Sequence, residues 1–203
     1  MVYSQTGMSL NLYIIAGCNG AGKTTASFTI LPEMLNCREF VNADSIAAGL
    51  SPFNPASVAF EAGRIMLQRI HQLLEERVDF AFETTLAAKS YVSLIENARQ
   101  MGYKINLLYI WLESPEFAKQ RVAQRVLIGG HDIPADVVER RYYRGLNNLF
   151  TLYMPVVDEW LLIDNMNTIP EVICRGLKSG ERLVLIPELW DTIQQQSNYD
   201  RNK

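Results

Sequence analysis

The sequence lacks the features that mark secreted and membrane proteins. Its three cysteines, Cys18, Cys37 and Cys174, are odd in number and show no C-x-x-C spacing, which argues against a disulfide framework and against a zinc site. The first ten residues lack the basic end and the apolar stretch of a signal peptide, and no apolar run approaches the roughly 18 residues of a membrane span. We therefore expect a cytoplasmic protein without a membrane-spanning segment.

An excess of charge of either sign is also missing. The 19 Lys and Arg residues against 22 Asp and Glu residues leave a net charge of -3, so bulk electrostatics gives no reason to expect a nucleic acid as partner. Internal repeats, linkers and low-complexity segments are absent as well, and 203 residues with 48% apolar content suit one globular domain. We expect a single domain over residues 1–203.

A glycine-rich phosphate-binding loop is the most informative feature that is present. The apolar run at residues 12–16 leads into Gly-Cys-Asn-Gly-Ala-Gly-Lys-Thr, which fits the P-loop pattern G-x-x-x-x-G-K-[ST] between a strand and a helix. In such a loop the backbone N–H groups turn toward phosphate oxygens, the lysine reaches the β and γ phosphates, and the Thr24 hydroxyl lies on Mg²⁺. We predict that ATP or GTP is bound by Gly17, Cys18, Asn19, Gly20, Ala21, Gly22, Lys23, Thr24 and Thr25.

Strand and helix patterns alternate along most of the chain. Predicted strands cover residues 12–16, 39–44, 78–82, 103–112 and 160–163, and predicted helices cover residues 23–35, 54–77, 89–101, 114–127 and 136–152. A hairpin at residues 172–174 and 182–186 and a helix at residues 189–196 follow. The alternation predicts an α/β fold with three αβα layers around a five-stranded, mainly parallel sheet. A helical, arginine-bearing lid is expected at approximately 115–145, and a C-terminal extension of hairpin plus helix at approximately 168–203.

Carboxylates follow the second and third predicted strands, at the sheet edge where ligands bind. Asp44 ends the second strand, which we place beside the P-loop strand. There it can accept a proton from a substrate hydroxyl or bind Mg²⁺ through water, unless it only caps a short helix at Ser45. Glu83, with Thr84 and Thr85, can hold a polyhydroxylated substrate or take the metal, and the alternative is a helix N-terminus capped by one of the threonines. Position at a strand end favours a functional role for Asp44 and leaves both interpretations of Glu83 open.

A basic region between residues 116 and 144 interrupts the acidic chain. Arg121 and Arg125 are four residues apart and share a helix face, and a Gly-Gly break that can act as a hinge follows them. Arginines on a mobile cover can stabilise the charge on a transferring phosphoryl group. We predict this role for Arg121, Arg125 and Arg141, and we assign Arg140 to a surface pair with Asp136.

The order of these motifs resembles the zeta toxin family of P-loop kinases, and within it the compact, single-domain members. The segments that carry the resemblance are residues 17–25, 121–126 and 164–165, Val41-Asn42-Ala43-Asp44, Phe82-Glu83-Thr84-Thr85-Leu86, Gly129-Gly130-His131 and Arg140-Arg141-Tyr142. Together they span nearly the whole chain to about residue 165, so the combination is far more specific than the P-loop alone.

The resemblance implies an ATP-dependent, Mg²⁺-requiring kinase that phosphorylates a hydroxyl of a nucleotide-activated sugar, typically UDP-N-acetylglucosamine. Asp44 matches the general base of the family, Lys23 its phosphate-binding lysine, and Glu83 its substrate-contacting acid. Arg121 or Arg125 matches one of the arginines that clamp the transferring phosphate. The predicted substrate contacts are Asn42, Asp44, Glu83, Thr84, Thr85 and His131.

Two alternatives stay open at this point. The acceptor can instead be a nucleoside, a sugar acid or a polynucleotide end, because His131 stands where the toxins carry an arginine. Alternatively, the chain is a nucleotide-binding toxin or regulator that works through a protein partner. A toxin of this family would be expected to have a small antitoxin as that partner.

Overall fold

Seven strands form one sheet in the computed structural model, which describes residues 10–130, 132–167 and 169–199. The strands are β1 (Leu10–Gly17), β2 (Glu39–Val41), β3 (Phe80–Thr84), β4 (Tyr103–Trp111), β5 (Glu159–Asp164), β6 (Glu171–Leu177) and β7 (Arg182–Val184). Their spatial order is β2-β3-β1-β4-β5-β6-β7. The first five run parallel, β6 pairs antiparallel with β5, and β7 pairs antiparallel with β6.

The five predicted parallel strands are confirmed, but the sheet has seven strands rather than five. The predicted C-terminal hairpin does not stand apart, because β6 pairs along β5 and so covers an edge whose backbone groups would otherwise lack partners. Gly176 makes this pairing compatible with the core, since a Cβ there would lie 2.3 Å from the ring of Trp160. The hairpin therefore extends the sheet.

Seven helices within the described residues connect the strands. They are α1 (Lys23–Thr29), α2 (Ala43–Leu50), α3 (Ala59–Glu76), α4 (Tyr91–Gln100), α5 (Pro115–Leu127), α6 (Ala135–Asn148) and α7 (Pro187–Ser197), with short helical turns at Ile30–Met34, Pro55–Val58 and Leu149–Tyr153. α5 begins at local sequence signals, because the Ser114 hydroxyl accepts a hydrogen bond from the N–H of Phe117 and Pro115 occupies the first turn. The helix after the P-loop ends earlier than residue 35, where Pro32 diverts it into a wide turn.

Helices lie against both faces of the sheet, which completes the three predicted layers. On one face, Phe82 stacks on Tyr91 of α4 with ring centroids 5.0 Å apart, and Trp160 lies parallel to Trp190 of α7 at 5.9 Å. On the other face, the turn after α1 borders a cavity of about 420 Å³ whose apolar lining includes Tyr13, Leu108 and Leu161. In the part of the chain that the structure describes, no helix combines the length and the apolar character needed to cross a membrane.

Helix α6 is packed against the carboxyl end of the sheet. The Tyr142 hydroxyl lies 2.7 Å from the carbonyl oxygen of Leu112, directly after β4. One turn farther along, the backbone of Gly145 approaches Thr85, directly after β3, so closely that a Cβ would stand 2.4 Å from the Thr85 carbonyl oxygen. Helix α6, which lies in the predicted lid, is therefore fixed to the strand ends. The closing motion of the lid stays a prediction.

We predict that Gly145→Ala lowers the free energy of unfolding by about 1–3 kcal/mol, because the added methyl group overpacks the contact with Thr85. Gly63→Ala is the matched control. Gly63 also lies in a helix, but a Cβ there meets no atom within 4 Å, so this change should stabilise the protein by about 0.5–1 kcal/mol. Urea denaturation of both variants measures the difference, and equal effects would contradict the packing of α6 on the strand end.

Candidate functional site

The phosphate loop has a backbone that its glycines permit. β1 ends at Gly17, whose φ is 144° and whose Cβ, if present, would lie 2.3 Å from the carbonyl oxygen of Ile110 on β4. Gly22, with φ 86°, stands directly before α1. A side chain at either position would strain the backbone and would also clash, at Gly22 with Asn165 Nδ2, which would lie 2.7 Å from its Cβ. The loop therefore passes close to β4 and enters α1, as P-loops do where they cradle phosphate.

Lys23 and Thr24, the first residues of α1, converge on Glu83 at the end of β3. The buried Lys23 ammonium donates to the Cys18 carbonyl oxygen at 3.0 Å and lies 3.5 Å from Glu83 Oε1. Glu83 Oε2 accepts hydrogen bonds from Thr24 Oγ1 and from Asn42 Nδ2, both at 2.7 Å. The Glu83 side chain is only 10% exposed, and these three donors offset the cost of removing its charge from water.

The strand order corrects the expected position of Asp44. β3 lies between β1 and β2, so the second strand is not beside the P-loop strand as predicted, and Glu83 rather than Asp44 stands at the end of the neighbouring strand. The first crossover skips one strand position, and order along the chain does not fix that choice. Asp44 nevertheless reaches the site from the first turn of α2.

The helix-capping alternatives for both carboxylates are wrong. Asn42 is the N-cap of α2, and its Oδ1 accepts from the N–H groups of Asp44 at 2.8 Å and Ser45 at 3.1 Å. The Asp44 carboxylate is exposed and has no hydrogen-bond or ion-pair partner among the described residues. Glu83 begins no helix, since β3 continues through Thr84 and α4 starts only at Tyr91. Both carboxylates are thus left to face the site.

Two cavities meet at these residues. The smaller, of about 260 Å³, is lined by Asn19, Lys23, Asn42, Ala43, Asp44, Met66, Glu83, Thr84, Thr85, Ala87, Ala88, Tyr91 and Arg141. The larger, of about 890 Å³, runs along the P-loop and is lined among others by Asn19, Gly20, Gly22, Lys23, Thr24, Thr25, Arg121, Gln124, Arg125 and Asn165. Four residues, Asn19, Lys23, Asp44 and Glu83, border both cavities. The site therefore has two compartments that share one charged junction.

The three predicted arginines divide between the compartments. Arg121 and Arg125 line the larger one, and Arg121 Nη2 donates to the carbonyl oxygen of Asn165 at 2.7 Å. Arg141 lines the smaller one, where its Nη1 lies 3.4 Å from Oδ1 of Asn19. The structure thus brings all three to the site, but from two sides of the junction. Their catalytic roles stay predictions.

The remaining predicted residues have separate positions. Thr84 and Thr85 line the smaller cavity, and the Thr84 hydroxyl also accepts the N–H of residue 86 at 3.0 Å, which closes a turn after β3. Gly17, Cys18 and Ala21 belong to the loop but do not line either cavity. Arg140 lies 3.9 Å from Asp136 in an exposed pair, the arrangement expected from sequence. His131 lies outside the described residues.

Sequence reasoning missed several residues that shape the site. Asn165 donates from Nδ2 to the Ala21 carbonyl oxygen at 2.8 Å and accepts from Arg121, so it connects the loop to the arginine helix. It follows β5, and the strand-end rule that selected the two carboxylates would have found it. Gln124 and Tyr91 line the larger and the smaller cavity, but nothing in their helical patterns distinguishes them from ordinary surface or core positions.

The Cys18 thiol is buried inside the loop. It is 2% exposed, and burial raises its pKa to about 11, although the nearby Lys23 ammonium opposes the shift. An acid whose pKa is raised stays protonated, so little thiolate is present at neutral pH. This argues that Cys18 is a packing residue and against an oxidation-sensitive role.

The fold and this junction define a kinase-like P-loop protein: a mainly parallel sheet, a glycine loop with a buried lysine, and carboxylates at the carboxyl ends of β2 and β3. The family of the chain follows from its match to a family model. The chain belongs to the zeta toxin family, whose model matches residues 5–167. The resemblance noted from the sequence is therefore confirmed.

Individual proteins are similar to this chain in sequence or in fold. An uncharacterized protein of Haemophilus influenzae is 32% identical over 127 residues, which cover 62% of this chain and 88% of that protein. Among solved structures, a chain of the AvrRxo1-ORF1:AvrRxo1-ORF2 complex solved with ATP superimposes with a TM-score of 0.74 at 19% identity, covering 92% of this chain and 64% of its own length. A chain from the PezAT chromosomal toxin-antitoxin system of Streptococcus pneumoniae gives a TM-score of 0.61 at 13% identity, covering 100% and 92%. This chain thus spans less than two thirds of the AvrRxo1 neighbour, and the structural matches show a shared fold.

We predict that Cys18 resists alkylation by iodoacetamide at pH 8 in the folded protein. A pKa raised from 9.0 to about 11 leaves roughly 100-fold less thiolate at this pH, and burial blocks the reagent as well. Labelling followed by peptide mass spectrometry measures the modified fraction, and protein unfolded in urea is the control. Rapid labelling of Cys18 in the folded state would contradict the buried position.

Proposed function

We propose that this protein is an ATP-dependent kinase that transfers the γ phosphate to a hydroxyl of a small molecule. Membership of the zeta toxin family supports a nucleotide-activated sugar such as UDP-N-acetylglucosamine as the acceptor. The observation that carries the proposal is the junction of two cavities at Asn19, Lys23, Asp44 and Glu83. Transfer between two bound molecules needs adjoining compartments, with the phosphoryl group held where they meet.

The larger cavity suits the nucleotide. It follows the P-loop, and Lys23, which borders it, would contact the β and γ phosphates. Arg121 and Arg125 line the same cavity and are positioned to offset negative charge on the phosphate chain during transfer. The family and the fold both support ATP as the donor.

The residues at the junction fit Mg²⁺, which prefers hard oxygen ligands. The Thr24 hydroxyl and the Glu83 carboxylate lie 2.7 Å apart, and both border the larger cavity. Thr24 would hold the metal directly, and Glu83 would orient it from the neighbouring strand. When bound, Mg²⁺ would supply positive charge at the β and γ phosphates.

Asp44 is the proposed general base. Its carboxylate is exposed and borders both cavities, because Asn42 rather than Asp44 provides the cap of α2. The acceptor hydroxyl would transfer its proton to Asp44 while its oxygen attacks the γ phosphorus. The bond from that phosphorus to the bridging oxygen would break, and ADP would leave.

The smaller cavity suits a polyhydroxylated acceptor. Polar groups of Asn19, Asn42, Thr84, Thr85 and Arg141 surround it, with an apolar wall formed by Met66, Ala87, Ala88 and Tyr91. A few placed polar groups against an apolar wall are typical of small-molecule sites. Arg141 borders this side, so an acceptor with an anionic group, such as a sugar nucleotide, would gain a charge partner.

A second candidate keeps the nucleotide site but places control in a protein partner. Two chains with similar folds come from the AvrRxo1-ORF1:AvrRxo1-ORF2 complex and from the PezAT chromosomal toxin-antitoxin system. Phe53 and Phe60 are 103% and 91% exposed, and large apolar side chains that face water are the kind of surface that a protein partner can cover. This alternative predicts ATP binding without acceptor-stimulated turnover. A cytoplasmic location is part of both proposals, and the three free, buried cysteines support it.

We predict acceptor-dependent ADP release with wild-type protein, and its loss in Asp44→Asn. The variant keeps the shape of the side chain but removes the base, so turnover should fall roughly 10²- to 10⁴-fold while ATP affinity changes little. A coupled assay across sugar nucleotides, nucleosides, sugar acids and polynucleotide ends identifies the acceptor.

Asp136→Asn is the control for that experiment, since Asp136 is an exposed carboxylate on α6 that borders neither cavity. A wild-type rate in Asp44→Asn would refute the base assignment. ATP binding without turnover on any acceptor would favour the partner-controlled alternative.

We predict that Lys23→Met weakens ATP binding by roughly 10- to 100-fold, because a charge-assisted contact to phosphate is lost. Lys104→Met is the matched control, since Lys104 forms only an exposed ion pair with Glu159 at 2.6 Å. Isothermal titration calorimetry with ATP measures both affinities. Unchanged binding in Lys23→Met would exclude the larger cavity as the nucleotide site.

A further inference from the structure

The C-terminal helix α7 holds α6 at several points. Gln196 lies against Tyr142, the ring of Tyr199 stacks on Tyr143 with centroids 4.2 Å apart, and the Ser197 carbonyl oxygen accepts from Nδ2 of Asn147 at 3.0 Å. These contacts follow one side of α6 over more than a turn. The zeta toxin model ends at residue 167, so α7 lies beyond the matched part of the chain.

Helix α7 is itself anchored in the core by Trp190. Trp190 of α7 is 6% exposed and lies between Trp160 of β5 and Phe150, with ring centroids 5.9 and 5.4 Å away. The guanidinium of Arg182 on β7 stands 5.6 Å above the same ring. The C-terminal strands and α7 therefore form a rigid support on the sheet.

The Gln196 side chain uses its amide on three partners. Its Oε1 accepts from Trp111 Nε1 at 3.1 Å and lies 2.8 Å from the Tyr142 hydroxyl, while its Nε2 donates to the Glu113 carbonyl oxygen at 2.7 Å. The indole N–H only donates and the carbonyl only accepts, so these two neighbours fix which way the amide points. Gln196 thus joins α7 to α6 and to the end of β4.

The position of Tyr142 decides where α6 presents Arg141. These residues are adjacent, and Gly145, one turn after Arg141, abuts Thr85 at the smaller cavity. Among the residues that the structure describes, the Arg141 guanidinium makes one contact, a long one of 3.4 Å to Asn19 Oδ1. Its placement at the cavity therefore depends on the helix that carries it. Burial raises the pKa of Tyr142 well above its ordinary value, so its hydroxyl keeps its single proton at working pH, and the two acceptors beside it, the Leu112 carbonyl oxygen and Gln196 Oε1, share that proton.

We propose that Gln196 is a positioning residue, which ties α7 to α6 and the end of β4 and so holds Arg141 at the junction of the two cavities. This rests on the proposed kinase function, in which Arg141 contacts the acceptor or the transferring phosphoryl group. The C-terminal extension then acts as a brace for one wall of the active site. Loss of the brace should affect transfer more than nucleotide binding.

The test is a double-mutant cycle between Gln196→Met and Arg141→Ala, with UDP-N-acetylglucosamine as the first acceptor probe. Gln196→Met keeps the side-chain length and removes the three polar contacts. We expect kcat to fall about 10-fold or more, since small displacements of a positioned group are costly, while the dissociation constant for ATP stays within about 2-fold. In the Arg141→Ala background the same change should add less than about 2-fold, because the two residues act as a unit.

Gln195→Met is the matched control, because Gln195 precedes Gln196 in α7 but is exposed. It should leave both parameters unchanged. Hydrogen exchange gives a readout that does not need turnover: Gln196→Met should speed exchange in peptides from α6 and leave those from α1 unchanged. If Gln196→Met does not fold, Gln196→Leu removes the same three polar contacts with a shorter side chain and leaves the Tyr142–Leu112 contact in place.

The outcomes separate this inference from the proposed function. A normal kcat and normal α6 exchange in Gln196→Met, or losses that multiply fully in the double variant, would overturn the positioning role. If Arg141→Ala transfers phosphate at the wild-type rate, the proposed role of Arg141 fails, and with it the link from Gln196 to transfer. If wild-type protein phosphorylates no acceptor, the kinase proposal fails, and α6 exchange alone then decides whether Gln196 braces the helix.

Discussion

The site depends on one buried carboxylate. Glu83 stands at the end of β3, 10% exposed, and its two oxygens gather Lys23, Thr24 and Asn42. A buried charge is costly unless several donors satisfy it. The carboxylate therefore holds the three donor side chains together around it. The same contacts join the P-loop, β3 and the cap of α2, and they fix the point at which the two cavities meet.

The helices around this point hold the two compartments. On the nucleotide side, Asn165 connects the loop at Ala21 to Arg121 of α5. On the other side, α6 carries Arg141 and is packed against the strand ends through Tyr142 and Gly145. The proposed transfer reaction would therefore take place between the phosphate loop and a helix that is packed on the ends of β3 and β4.

Local signals in the sequence were reliable where short-range physics decides the structure. The P-loop pattern, the Ser114 cap and the alternation of strands and helices all appear in the structure, because each depends on residues close together in the chain. The predicted neighbour of the P-loop strand was wrong, because β3 rather than β2 pairs with β1. Chain order alone does not determine which strand a crossover skips. The hairpin joined the sheet for a similar reason: an edge strand accepts a partner from anywhere in the chain.

The sequence by itself determined that the chain has a phosphate-binding loop, facing carboxylates and an arginine-bearing helix, since these motifs are contiguous and carry their own chemistry. Only the tertiary structure decided how these residues are divided between the two cavities. It placed Glu83 next to Lys23 and Thr24, left Asp44 exposed at both cavities, and separated Arg121 from Arg141. It also connected Gln196 to Tyr142 across 54 residues of chain. Such contacts come from the packing of distant segments, which no local pattern encodes.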